Sequence, residues 1–169
     1  MVRSFIVVLI LIAATSPATA QKAREHLPAI NGVEFGSTFA AAREKLGHDF
    51  EADTVPDDDK VKTLLGGPVP FNGASYMFNY TFGGAGERLT TVYAQSINSR
   101  DFAVCRANWS TAMSGLTAQF GKPEKMSEDF GTQTQFGNAT FKFDDGSAIT
   151  GLLLGCILQI TYERTPSKK

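Results

Sequence analysis

The sequence predicts an α+β fold, with two main helices packed on one face of an antiparallel sheet of about five strands. Two stretches repeat apolar residues every three or four positions, the period of a helix with one buried face. Five other stretches alternate apolar and polar residues or run apolar between turn residues, as strands do. The order helix, loop, hairpin occurs twice, which admits two tandem helix–hairpin repeats over residues 32–97 and 98–164.

The first helix is expected within Gly36–Gly47. Ser37 or Thr38 offers a hydroxyl to the unpaired first-turn N–H groups. Phe39, Ala42 and Leu46 then share a face, and Gly47 supplies a left-handed stop. Asp49–Gly73 contains Pro56, Pro68, Pro70 and the run Asp57-Asp58-Asp59, and reads as a surface loop with one short strand or turn near Val61–Leu65. Ser75–Phe82 places Tyr76, Phe78, Tyr80 and Phe82 on one side of a strand. A glycine-rich turn at 83–86 returns the chain through Arg88–Gln95. The second helix is expected over Asp101–Phe120, with Phe102, Cys105, Trp109, Ala112, Met113, Leu116 and Phe120 on its apolar stripe and Gly121 and Pro123 ending it. After a polar stretch come strands Ala139–Phe143, Ala148–Leu154 and Cys156–Glu163, the first two joined by an Asp144-Asp145-Gly146-Ser147 turn.

Residues 1–20 read as a signal peptide. Arg3 precedes an apolar run from Phe5 to Ala14, and Ala18-Thr19-Ala20 is a small-x-small site predicting a cut after Ala20. The run is too short to span a bilayer, which takes about 20 apolar residues. The remaining chain is expected to have a loose start (21–31), one α+β domain (32–164) and a loose tail (165–169). Its location would be periplasmic or secreted. Without Arg3 the 16 basic residues become 15, against 17 acidic ones, with the signs interspersed. That pattern lacks the basic footprint of a nucleic-acid binder. No cysteine stands at the new N-terminus after the cut, so no stable membrane anchor is expected, and the protein is expected to be a monomer.

In an oxidising compartment the two cysteines, Cys105 and Cys156, should pair. One lies on the stripe of the second helix and the other on the apolar face of the last strand, so both point into one helix–sheet interface. A redox-active pair lacks its Cys-x-x-Cys spacing, and two free buried thiols are the other alternative.

No catalytic constellation stands out, so the chain reads as a non-enzyme without cofactor. His48, Asp49 and Glu51 fit no zinc spacing, and the acidic run lacks the pattern of a calcium loop. The glycines at 83–86 are followed by neither the Lys-Ser/Thr pair nor the helix of a phosphate loop. A Ser–His–Asp triad would have to recruit His26 or His48 from outside the sheet. A carboxylate pair from distant segments is the remaining route to a small hydrolase. Three Asn-x-Ser/Thr sequons, at Asn79, Asn108 and Asn138, read as coincidental in a chain whose signal looks bacterial.

The segment GVEFGSTFAAAREKLG, a turn glycine before a capped helix ending in Leu-Gly at 46–47, resembles an opening found in small exported bacterial domains. These are related to the SmpA/OmlA assembly lipoproteins and to the β-lactamase-inhibitor-protein-like fold. The resemblance spans roughly 30–164. In the inhibitor-like fold it implies tandem repeats and a sheet face that grips another protein. The lipidated cysteine of the assembly lipoproteins has no counterpart here. If helices cover one sheet face, the other is open and carries Asn79, Thr81, Lys142, Gln159, Thr161 and Glu163. The expected function is therefore binding of another envelope protein, with a small-ligand binder in the helix–sheet crevice as the alternative.

Overall fold

The computed structural model describes residues 25–54, 61–71, 74–84, 86–96, 101–132 and 134–164. The signal-peptide segment, the Asp57–Asp59 run and the tail lie outside them. Helix α1 (Phe39–Leu46) leads through a 3₁₀ turn to strands β1 (Phe50–Thr54), β2 (Lys62–Phe71), β3 (Ala74–Gly83) and β4 (Arg88–Ser96). Helix α2 (Phe102–Phe120) then leads to β5 (Lys125–Phe130), β6 (Gln135–Lys142), β7 (Ala148–Leu154) and β8 (Ile157–Glu163). Each half is thus a helix followed by a four-stranded meander. The eight strands form one antiparallel sheet in the order β1-β2-β3-β4-β8-β7-β6-β5, so the halves meet where β4 pairs with β8.

This corrects the five-strand expectation: the protein is mostly sheet, with only two short helices. Strand β1 and the later part of β2 occupy the stretch read as a loop, the short strand or turn expected near Val61–Leu65 being the start of β2, and β5 occupies the polar stretch after α2. β2 holds Gly66, Gly67, Pro68 and Pro70, which read as breakers. The strand accommodates them through an irregularity in its pairing with β3 between Gly66 and Val69, so Pro68 owes that ladder no hydrogen bond. β1 is five residues long, and β5 is exposed along Lys125–Asp129, so neither shows an apolar period. β6 begins at Gln135, four residues before the expected strand.

Local chemistry explains both helices. The Thr38 side chain accepts from the Ala41 N–H at 3.3 Å, and the Asp101 carboxylate from the Ala103 N–H at 2.8 Å. Gly47 and Gly121 end the helices at φ 72° and 75°, where a Cβ would be strained. Both helices lie on the same side of the sheet. Phe39 of α1 meets Phe82 of β3 edge-to-face at 5.3 Å, and Phe120 meets Phe143 at 5.4 Å. The core beneath them is a continuous layer in which Leu64, Tyr80, Val92, Tyr162, Ile149 and Phe141 stand in register across six strands, each at most 1% exposed.

Under α2 this layer is thinned to glycine. A Cβ on Gly137 would stand 2.7 Å from Trp109 Cε2, and one on Gly151 would stand 2.6 Å from Met113 Cε. The helix therefore sits close to β6 and β7, with Trp109 1% exposed. Cys105 and Cys156 form a disulfide with Cα atoms 5.2 Å apart, closing a loop of 51 residues. Cys156 lies in the β7–β8 turn, just before the strand it was expected to open. The bond joins the first turn of α2 to the turn at the sheet's end. Residues 25–31 of the expected loose start are described, and there Ile30 is 2% exposed and accepts from the Tyr80 hydroxyl.

Candidate binding face

Period two sends alternate side chains to opposite sides of a sheet. Because the core residues of the strands face the helices, their neighbours form a second face that no helix covers among the described residues. One row crosses all eight strands: Glu51, Leu65, Asn79, Tyr93, Thr161, Thr150, Thr140 and Lys125. A parallel row holds Asp53, Thr63, Thr81, Thr91, Glu163, Ala148 and Lys142. A third holds Met77, Gln95, Gln159, Leu152, Asn138 and Ser127.

The six residues expected on the open face, Asn79, Thr81, Lys142, Gln159, Thr161 and Glu163, all lie on it. Asn79 and Thr161 flank Tyr93 from either side, and Thr81 and Glu163 flank Thr91. Gln159 pairs with Gln95. Lys142 stands on the rim, two strands beyond Glu163, where its ammonium meets Glu124 at 3.2 Å.

Sequence reasoning missed the middle of the face. Tyr93 donates its hydroxyl to Gln95 Oε1 at 3.2 Å, and burial raises its pKa. The alternation of Thr91, Tyr93 and Gln95 with Val92 and Ala94 was the signal that could have found it. Beside Tyr93, the Asn79 side-chain oxygen is buried and has no hydrogen-bond partner among the described residues. Leu65 is 38% and Met77 44% exposed. The middle of the face is therefore part apolar, with one carboxylate, Glu163 on β8, further carboxylates along β1 and Lys142 and Lys125 towards the opposite end.

At the β1 end the face deepens into an open cleft of about 800 Å³ lined by His48, Asp49, Glu51 and Asp53 on one side and by Leu65, Pro68, Val69 and Met77 on the other. Gly66 lies along it, and its missing side chain makes room on the core side for the Phe50 ring, which a Cβ would meet at 2.5 Å. Among the described residues no ion pair joins His48 to these carboxylates, and no group of three or more His, Cys, Asp or Glu is arranged to hold a metal ion.

The second histidine lies elsewhere. His26 Nδ1 is 3.4 Å from Asp145 Oδ2, in a crevice of about 330 Å³ shared with Glu34, Ser147 and Arg164. Burial tends to raise the Asp145 carboxyl, but the contacts from Ser147 and the His26 ring outweigh it and hold the carboxyl below its ordinary value. Ser147 is fully buried, so its hydroxyl is out of a substrate's reach and these three residues do not make an acyl-transfer site.

Comparison with family models, with curated proteins and with solved structures finds no match for this chain. Among the described residues, no helix is long and apolar enough to cross a membrane.

Proposed function

We propose that this chain is an exported, non-enzymatic binding protein that grips another envelope protein with the open face of its sheet. The observation that carries the reading is the exposed pair Leu65 and Met77 set beside Tyr93 on a face that no helix covers among the described residues. Tyrosine and apolar anchors ringed by polar groups are the pattern of interface hot spots. The disulfide fits an oxidising compartment, and the apolar N-terminal run supports a periplasmic or secreted location.

The test places a photo-crosslinking residue at Asn79, at Thr161 and, on the helical side, at Glu44, in protein exposed to envelope extract. One polypeptide attached at 79 and 161 but not at 44 is the expected result. Equal labelling at all three positions would remove the proposal.

A second reading, a small-ligand binder, has the β1–β2 cleft in its favour. Its carboxylates beside an apolar wall suit a cationic amphiphile rather than an anion. The cleft lies on the open face, not in the helix–sheet crevice. A rise in melting temperature with such a compound, abolished by Glu51→Lys, would favour this reading over the first.

A further inference from the structure

We propose that β5 pairs edge to edge with β5 of a second copy of this chain, extending two eight-stranded sheets into one across a twofold axis at Ser127. Among the described residues β5 is an outer strand hydrogen-bonded only to β6, and Lys125, Met126, Ser127, Glu128 and Asp129 are all exposed. An outer strand leaves half of its backbone donors and acceptors to solvent or to another strand. Natural edges discourage such pairing with charge, but the charges of β5 are self-complementary. In an antiparallel pair about a twofold axis, residues equally far before and after the axial residue face each other. With Ser127 on the axis, Lys125 on the open face stands opposite Asp129 of the second copy, and Asp129 opposite its Lys125. On the helical face, Met126, 51% exposed, lies over Glu128 of the second copy.

The neighbouring registers lack this match. An axis at Glu128 sets two carboxylates against each other, which is destabilising across strands. An axis at Met126 sets Lys125 against Ser127 and leaves Asp129 without a cation. Among the described residues neither Lys125 nor Asp129 takes part in an ion pair within the chain. The strand is six residues long, so the dimer is a weak one rather than an obligate assembly. The inference departs from the expected monomer and does not depend on what the open face binds.

Sedimentation velocity on the full exported chain, from about 1 to about 500 μM to cover a small transient interface, should show a monomer–dimer equilibrium that weakens with salt. Lys125→Asp should weaken the dimer about tenfold or more, since symmetry turns two attractive pairs into two repulsive ones. Lys125→Asp combined with Asp129→Lys should restore it, which also shows that the single variant had not simply misfolded. Ser127→Cys should give a disulfide-linked dimer under mild oxidation, whereas Ser75→Cys, at the exposed start of β3, should not. A chain that stays monomeric throughout, a dimer indifferent to Lys125→Asp, or oligomers growing past two through β1–β5 pairing would each overturn the proposal.

Discussion

The indole of Trp109 occupies the space that a side chain at position 137 would need, since a Cβ on Gly137 would come within 2.7 Å of the ring. A rigid ring cannot swing aside as a flexible chain can. Gly137→Ala should therefore destabilise the protein by about 1–3 kcal/mol, the usual cost of overpacking. Gly151→Ala should cost less, because the atom it meets first is the mobile methyl end of Met113. Urea unfolding of the two variants checks the ranking.

The same ring is tied to the edge of the sheet. Trp109 Nε1 donates to Glu128 Oε1 at 2.6 Å. Glu128→Ala leaves that N–H without its acceptor, at a cost of about 1–2 kcal/mol. Glu128→Gln keeps an acceptor oxygen and should cost less. Trp109 is the sole tryptophan, so its fluorescence reports on this contact alone, and a red shift is expected in the alanine variant only.

Reducing the Cys105–Cys156 bond reopens a 51-residue loop in the unfolded chain, for which chain entropy gives about 4 kcal/mol. The double replacement Cys105→Ala/Cys156→Ala should lower the melting temperature, and reductant should then have no further effect on it. Unfolded, unreduced wild type should show no reactive thiol.

Alkaline pH should unfold the protein through its tyrosines. Burial pushes Tyr76 up to about 12 and raises Tyr80 and Tyr162 as well. In the unfolded chain these groups ionise near pH 10. Their contribution is thus intact below about pH 10 and is lost as the pH climbs towards the folded values, at about 1.4 kcal/mol per pH unit for each. Tyrosinate absorbance should rise together with loss of circular dichroism. Smooth ionisation of all four tyrosines before unfolding would contradict the buried layer.

How far the sequence revealed this molecule depended on burial. Both helices were legible because caps and stops bracket one apolar stripe in each: Thr38 and Gly47, Asp101 and Gly121. β3, β4, β7 and β8 were legible because one side of each is core. β5 was not, since Lys125 to Asp129 face solvent on both sides and leave no period to read. β2 was hidden by Pro68 and Pro70, which mark loops unless an irregular register makes room for them. The open face could be inferred once helices were assigned to one side, but Tyr93 and Leu65 required the register between strands, a non-local property.

The seam between β4 and β8 gives the molecule a particular order of completion. β4 emerges from the ribosome sixty-odd residues before its neighbour β8, the last of the eight strands to be made. Until then the first meander exposes a row of unpaired backbone groups along what will be the middle of the sheet. A chain arranged in this way cannot complete its sheet until its final strand is available, so the first meander must wait for the second.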